Sequence, residues 1–242
     1  MKEIINKVLH LSHVKSFEDG GIYTSVKKII EIESELDIST DWISTKNINN
    51  KKLINLICQT NPNMIHIHGL WRLSTRNSIV NNLSTPLIIS PHGMLSDWAL
   101  KQSFFKKKIA LRFWENNSLK KAKSIHALSK REIQDIKSVI PNSKVAYIPN
   151  CINNKFEMLE KYPRNILLEK SGFDKLGISQ NDKILLYLGR FHKGKNVDLI
   201  VKAWVEIRKF VKDNNWHLCL VGDGNEKSKI MNLSRDFPFK EF

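Results

Sequence analysis

Lys183-Ile184-Leu185-Leu186-Tyr187-Leu188-Gly189-Arg190-Phe191-His192-Lys193-Gly194-Lys195-Asn196 decides how this 242-residue chain is read. An apolar run ends at Gly189 and a basic loop follows. Val197, Ile200, Val201, Trp204, Ile207 and Val211 then recur at helical spacing. The order is strand, phosphate-sized loop, helix. Arg190 and Lys195 stand where the coming helix presents free N–H groups and the positive end of its dipole. A bound anion is the functional reading. A solvated basic turn between a core strand and a core helix is the bland one, and this stretch alone leaves both open.

Outward from that stretch the same grammar repeats. Val8–Leu11, Asp41–Ser44, Met64–His68, Leu87–Ser90, Ser124–Leu128 and Val145–Ile148 read as strands upstream, and Leu218–Val221 as one downstream. Ile22, Val26, Ile29, Ile30 and Glu33 keep helical spacing, as does Leu53 to Cys58. Alternating strands and helices predict an α/β fold with doubly wound parallel sheets. Ligands in such sheets bind beyond the carboxyl ends of the strands. Here those ends lead into Gly20-Gly21, His68-Gly69, Pro91-His92-Gly93 and Gly189-Arg190. The rhythm breaks after Pro149-Asn150-Cys151. The next thirty or so residues lack a strand and hold Pro163, Gly172 and Gly177, which suits a linker. The expected domains are residues 1–160 and 161–242, the second with too few strands to close a sheet of its own.

Composition narrows the function. The net charge of +15, from 39 Lys+Arg against 24 Asp+Glu, suits nucleic acid, an anionic membrane surface or phosphorylated substrates. Lys, Asn and Ile are abundant throughout, so part of the charge is compositional drift. No nucleic-acid-binding motif occurs, and no nucleic-acid partner is expected. No apolar run approaches the roughly eighteen residues of a membrane span. Met1 to Asn6 is too polar for a signal peptide. Cys58, Cys151 and Cys219 are odd in number and lack metal or redox spacing. A cytoplasmic location is expected.

Gly189 to Lys195 also fits G-x-x-x-x-G-K, the phosphate-cradling loop of P-loop nucleotidases. Against that reading, the Ser or Thr that would hold Mg²⁺ is Asn196, and few strands follow. Val221-Gly222-Asp223 is only a faint echo of the acidic strand end such proteins need.

Taken together, the pieces resemble the nucleotide-sugar-dependent glycosyltransferases of family 4. Their GT-B architecture sets two Rossmann-like domains face to face. The matching pieces are Gly20-Gly21, His66-Ile67-His68-Gly69-Leu70-Trp71, Ser90-Pro91-His92-Gly93-Met94-Leu95, and His126-Ala127-Leu128-Ser129 with Glu132. Ile148-Pro149-Asn150, Leu188-Gly189-Arg190 with Lys195, and Leu220-Val221-Gly222-Asp223-Gly224 follow in family order. The His-Gly-Leu-Trp and Pro-His-Gly-Met pieces look most like bacterial enzymes that build surface polysaccharide.

The resemblance implies roles. Gly20 and Gly21 would admit the donor diphosphate to backbone amides, while Arg190 and Lys195 would grip it from the second domain. Fixed cations suit the charge that gathers on a departing nucleoside diphosphate. A metal is then unnecessary, and the only co-substrate is the nucleotide sugar, UDP- or GDP-linked. His92 matches the family's active-site histidine, facing the transferred sugar. Transfer with retention to a glycan or polyprenyl-diphosphate-linked glycan is the implied reaction. Departures are the Asn150-Cys151-Ile152-Asn153 step, where Asn-Gly-Ile-Asp is usual, and the lack of the family's paired glutamates late in the second domain. The alternatives are a truncated remnant that binds acceptor or partner without transferring sugar, and the P-loop nucleotidase.

Among the histidines, His66 reads as a core residue and His68 as a loop-edge residue packing on Trp71; a metal trio of His66, His68 and His92 is not expected, since no acidic or cysteine ligand stands nearby. Phe104, Phe105, Ile109, Phe113 and Trp114 alternate with Lys106, Lys107, Lys108 and Arg112. That stretch reads either as a core helix with a basic face or as a docking surface for an anionic membrane, placing the protein peripherally on the inner face of the cell membrane.

Overall fold

The computed structural model describes residues 6–81, 83–151 and 162–234. The chain divides into two compact units, Met1–Ile152 and Asn153–Phe242. The domain boundary expected after residue 160 lies outside the described residues.

The first unit is built on one parallel sheet. Its strands are β1 (Lys7–Ser12), β2 (Ser39–Ser44), β3 (Met64–His68), β4 (Leu87–Ser90), β5 (Ser124–Ala127) and β6 (Val145–Tyr147). They lie in the order β2-β1-β3-β4-β5-β6. The central strands are buried on both faces, as parallel sheets covered by helices require. The outer ones are polar, as in the Ser39-Thr40-Asp41 start of β2, or short, as in β6, so the sheet's open edges are blunted. Leu9, Leu11, Ile65, Ile67, Ile89 and Ile125 form the centre of the core.

Helices cover the sheet. They are α1 (Gly21–Glu35), α2 (Asn50–Thr60), α3 (Asn77–Val80), α4 (Asp97–Lys101), α5 (Phe104–Ala110), α6 (Asn116–Lys121) and α7 (Lys130–Val139). Their starts follow local chemistry. Asn49 and Ser129 cap α2 and α7 by accepting from Lys52 N and Glu132 N. Gly20 turns the chain into α1 with φ 97° and ψ −160°, a conformation open in practice only to glycine. Between α5 and α6, Leu111–Glu115 forms a π-helical turn.

The second unit holds α8 (Arg164–Ser171), β7 (Lys183–Leu188), α9 (Val197–Glu206), α10 (Arg208–Asp213), β8 (Trp216–Val221) and α11 (Lys227–Leu233). The periodicity expected of one helix through Val211 is divided at Ile207, whose ψ of 15° interrupts the regular turn. β7 and β8 pair in parallel, Lys183 with Trp216 through Leu188 with Val221. Phe191, Val197, Val201 and Ile230 make a small core against Tyr187, Leu218 and Leu220. Leu186 and Leu188, on the opposite face of β7, are 52% and 75% exposed. The molecule thus has a complete six-stranded Rossmann-like sheet and a second, smaller parallel sheet, with two strands among the described residues.

Candidate functional site

Register lines up polar side chains at the strand ends of the first unit. His10 pairs with His66 across β1 and β3, and His68 pairs with Ser90 across β3 and β4. Residues in register, or two apart along a strand, share a face. One face therefore carries His10, His66, His68 and Ser90, with His126 from β5 joining them. All five are buried. Buried polar groups must find partners, and these find one another. Glu33 Oε2 of α1 lies 2.7 Å from His10 Nε2, His10 Nδ1 lies 3.0 Å from His68 Nε2, and His68 Nδ1 lies 3.1 Å from His92 Nε2. A second branch runs from His66 Nε2 to Ser90 Oγ at 2.7 Å, on to His126 Nδ1 at 2.9 Å, and from His126 Nε2 to the Ile148 carbonyl at 2.7 Å. The His66 and His68 rings lie tilted against each other with centroids 4.0 Å apart.

His68 is thus not the loop-edge residue expected to pack on Trp71. Because β3 lies between β1 and β4, its last residue is still enclosed by both neighbours. His10, to which the sequence alone assigns no role, links His68 to Glu33.

Burial disfavours the charged form of three of these imidazoles. His66 and His68 titrate well below the ordinary histidine range, chiefly through burial and then through the neighbouring rings. Burial, with His126 behind it, lowers His92 to about 4. His10, His66 and His68 each bring a ring nitrogen within 4.8 Å of the others. The closest approach in that trio, His10 to His68, is a hydrogen bond, and the outer nitrogens of this pair are taken by Glu33 and His92.

The turn that carries His92 is held from below. His92 and Gly93 both lie in the left-handed region, at φ 53° and 73°. Glu132 anchors them: it accepts from Gly93 N at 2.6 Å and from Leu128 N at 2.8 Å. Glu115 plays the same part for the His-Gly-Leu-Trp segment, accepting from Trp71 N at 2.6 Å, Thr75 Oγ1 at 2.7 Å and Trp114 Nε1 at 3.0 Å. It is fully buried, and its other oxygen has no partner among the described residues. Burial outweighs its three donors and raises the carboxyl to about 7.

In the second unit, Arg190 sits in a loop laced to its neighbour. Gly189 N donates to Val221 O at 2.9 Å, Phe191 N to Asp223 O at 2.7 Å, and Tyr187 Oη to Arg190 O at 3.0 Å. A Cβ on Gly222 would stand 1.9 Å from Gly189 O, so the close approach of the two loops requires glycine there. Arg190 and Lys195 are exposed, and among the described residues neither makes an ion pair. Gly20 is the N-cap of α1 and Gly21 its first residue, and a Cβ at Gly21 would meet nothing within 4 Å.

A Rossmann-like unit with polar strand ends, followed by a second, smaller parallel-sheet unit with an exposed cationic loop, is the make-up of the GT-B class of glycosyltransferase. The chain belongs to Glycosyltransferase Family 4, whose model matches residues 27–156; the model for group 1 glycosyl transferases matches residues 169–240. The P-loop reading is thereby set aside. Among solved structures, a glycosyltransferase from Rickettsia africae ESF-5 is 14% identical, with a TM-score of 0.60 over 96% of this chain and 65% of that one. Sucrose-phosphate synthase from Thermosynechococcus elongatus is 15% identical, with a TM-score of 0.69 over 95% of this chain and 67% of that one. At these identities the likeness is one of fold. The chain spans about two thirds of the length of both structures. No curated protein matches its sequence.

Proposed function

We propose that this protein serves the transfer of a sugar from a UDP- or GDP-linked donor to a glycan of the cell envelope or capsule, with retention at the anomeric carbon and without a metal ion. The observation that carries the reading is that family-4 and group-1 glycosyltransferase models match successive stretches of the chain, residues 27–156 and 169–240. Arg190 and Lys195 take the donor diphosphate, with backbone N–H groups at Gly20 and Gly21. A loop pinned by hydrogen bonds on both sides of Arg190 suits that task, because preorganised cations need no rearrangement as charge develops on the leaving group. His92 meets the sugar.

The test is turnover of UDP- and GDP-sugars with a polyprenyl-diphosphate-linked acceptor, with the product anomer read by NMR and EDTA added in parallel. Arg190→Ala or Lys195→Ala should each cut turnover by roughly a hundredfold or more, the cost of one lost contact to developing charge. Parent-like turnover in both variants would remove them from the donor site. A competing reading, a protein that holds donor or acceptor without transferring sugar, draws on the exposed apolar residues of β7. Robust turnover by the purified monomer rules that reading out.

The acceptor side is proposed to dock on an anionic membrane. Phe104, Phe105, Ile109 and Phe113 are exposed, with Phe105 at 78%, so these aromatic residues do not form the expected core face of a helix. Lys106, Lys108 and Arg112 are exposed among them, while Lys107 is half-buried, bonds the Ala99 carbonyl and lies over the Trp71 ring. Each exposed cation near an anionic leaflet contributes about 1 kcal/mol. The parent should sediment with phosphatidylglycerol vesicles, and Lys106→Glu/Lys108→Glu/Arg112→Glu should not. Undiminished sedimentation of the triple variant would refute membrane docking by this face.

A further inference from the structure

The imidazoles beneath His92 form a chain with a direction. Glu33, near the end of α1, sets one end of it. A carboxylate oxygen only accepts, so the 2.7 Å contact from His10 Nε2 to Glu33 Oε2 places the proton on His10 Nε2. A neutral imidazole carries a single N–H. His10 Nδ1 is therefore a lone pair, and the 3.0 Å contact requires His68 Nε2 to donate to it. His68 Nδ1 then accepts, and His92 Nε2 donates across 3.1 Å. What remains is His92 Nδ1, unprotonated, with no hydrogen bond to it among the described residues.

The second branch runs in the same sense. The Ile148 carbonyl takes a proton from His126 Nε2, so His126 Nδ1 accepts from Ser90 Oγ, and Ser90 Oγ accepts from His66 Nε2. Four buried rings and the half-buried His92 thus share one tautomer. An imidazolium at His10 would reverse the first branch, because its Nδ1–H would donate to His68 Nε2 and leave His92 Nε2 an acceptor, and the ring-nitrogen spectrum tells the two cases apart.

We propose that Glu33, His10 and His68 are positioning residues that lock His92 in its Nε2–H form and present Nδ1 as a pure hydrogen-bond acceptor to a hydroxyl of the bound sugar. The proposal rests on the reading of His92 as sugar-facing and deepens it. A locked acceptor recognises a group that can donate. A sugar hydroxyl fits, whereas the carboxylate of a uronic acid, which can only accept, meets a lone pair and is rejected at this contact. The carboxylate–histidine contact at the far end does for His92, at two rings' remove, what a directly bonded carboxylate does for a single histidine.

The test needs no ligand. Long-range ¹⁵N–¹H correlation spectra of the ¹⁵N-labelled full chain at pH 8 separate the two tautomers of each ring. His10, His66, His68, His92 and His126 should all show protonated Nε2 and unprotonated Nδ1. Glu33→Ala should release the lock and move His92 to a mixture of tautomers, with both nitrogens shifting toward the averaged position. A parent His92 protonated at Nδ1, or an unchanged His92 in Glu33→Ala, would overturn the proposal; the parent spectrum decides even if the variant does not fold. After EDTA treatment, one equivalent of ZnCl₂ should leave the five rings unchanged. Zinc-induced loss of the His10–His68 proton would make the trio a metal site instead. The expected tautomers in a chain that transfers no sugar would count against the functional proposal alone, and active protein with His92 protonated at Nδ1 would count against this one alone.

Discussion

The two units end their strands in opposite ways. In the first, β3 and β4 finish in His68 and Ser90, both buried and bonded to neighbours on adjacent strands. In the second, β7 and β8 finish in Leu188 and Val221, apolar and exposed. The same strand–loop–helix grammar therefore does two jobs. One sheet encloses its polar groups and leaves His92 half-buried at its edge; the other uses its strands as a platform for the exposed Arg190 loop. The difference teaches that a strand's neighbours, more than its sequence, decide whether its end is a chemical site or a support.

Local stability should show the contrast most strongly. Strands β1, β3 and β4 are covered on both faces, while β7 has apolar residues open to water. Local opening is cheapest where few buried apolar contacts hold the backbone. Hydrogen exchange at Leu9, Ile65, Ile67 and Ile89 should be slower than at Leu186 and Leu188 by on the order of a hundredfold or more. Equal protection in the two sheets would erase the contrast between the units.

A substitution at Gly222 separates the units a second way. Its φ of 153° is strained for other residues, and an added Cβ would overlap the Gly189 carbonyl at 1.9 Å. Gly222→Ala must push the β8 loop away from the Arg190 loop, breaking the bonds from Gly189 N and Phe191 N. A loss of roughly 2–3 kcal/mol in the second unit is expected, with the first unit's unfolding transition unmoved. If both transitions fall together, the units are coupled; if neither falls, the loops are not packed as described.

Much of this was legible in the sequence because it is local. Apolar runs marked the strands of both sheets, glycine and proline marked their ends, and Arg190 and Lys195 stood in a loop bounded by both. Glu33 and His10 were not legible. Pairing them with His92 requires the sheet order β2-β1-β3-β4, which is not the order of the chain, so nothing in linear spacing puts His10 beside His68. One signal was present: His10, His66, His68 and His126 each sit within an apolar run, and histidines that a sheet must bury have to find partners. Glu115 was hidden for another reason. The π turn at Leu111–Glu115 shifts the helix out of its 3.6-residue phase, so regular helical spacing gives no reason to turn that carboxylate inward.

Glu115 also gives the smallest and most specific way to sharpen the comparison, because it titrates in the first unit only. Its folded-state value is about 7 against an ordinary 4.5, so between those values the folded chain holds more protons than the unfolded one. By linkage, Glu115 makes the first unit less stable as pH rises through that window. At about 1.4 kcal/mol for each pH unit separating the two values, the loss is at most roughly 3.5 kcal/mol. The histidines act in the opposite sense. His92, at about 4 against an ordinary 6.5, costs stability as pH falls from 6.5 toward 4, and His66 and His68 share that direction. In Glu115→Gln the carboxyl contribution is gone and the histidine contribution remains. The amide keeps an acceptor for Trp71 N and Thr75 Oγ1, but its NH₂ falls where Oε2 has no partner, an offset that does not change with pH. The informative quantity is therefore the slope. Between pH 5 and pH 8 the variant's first transition should gain stability relative to the parent's, while the second unit's transition shows no such divergence. Parallel curves for parent and variant across that range would mean that Glu115 is ionised in the folded protein, its three donors having outweighed its burial.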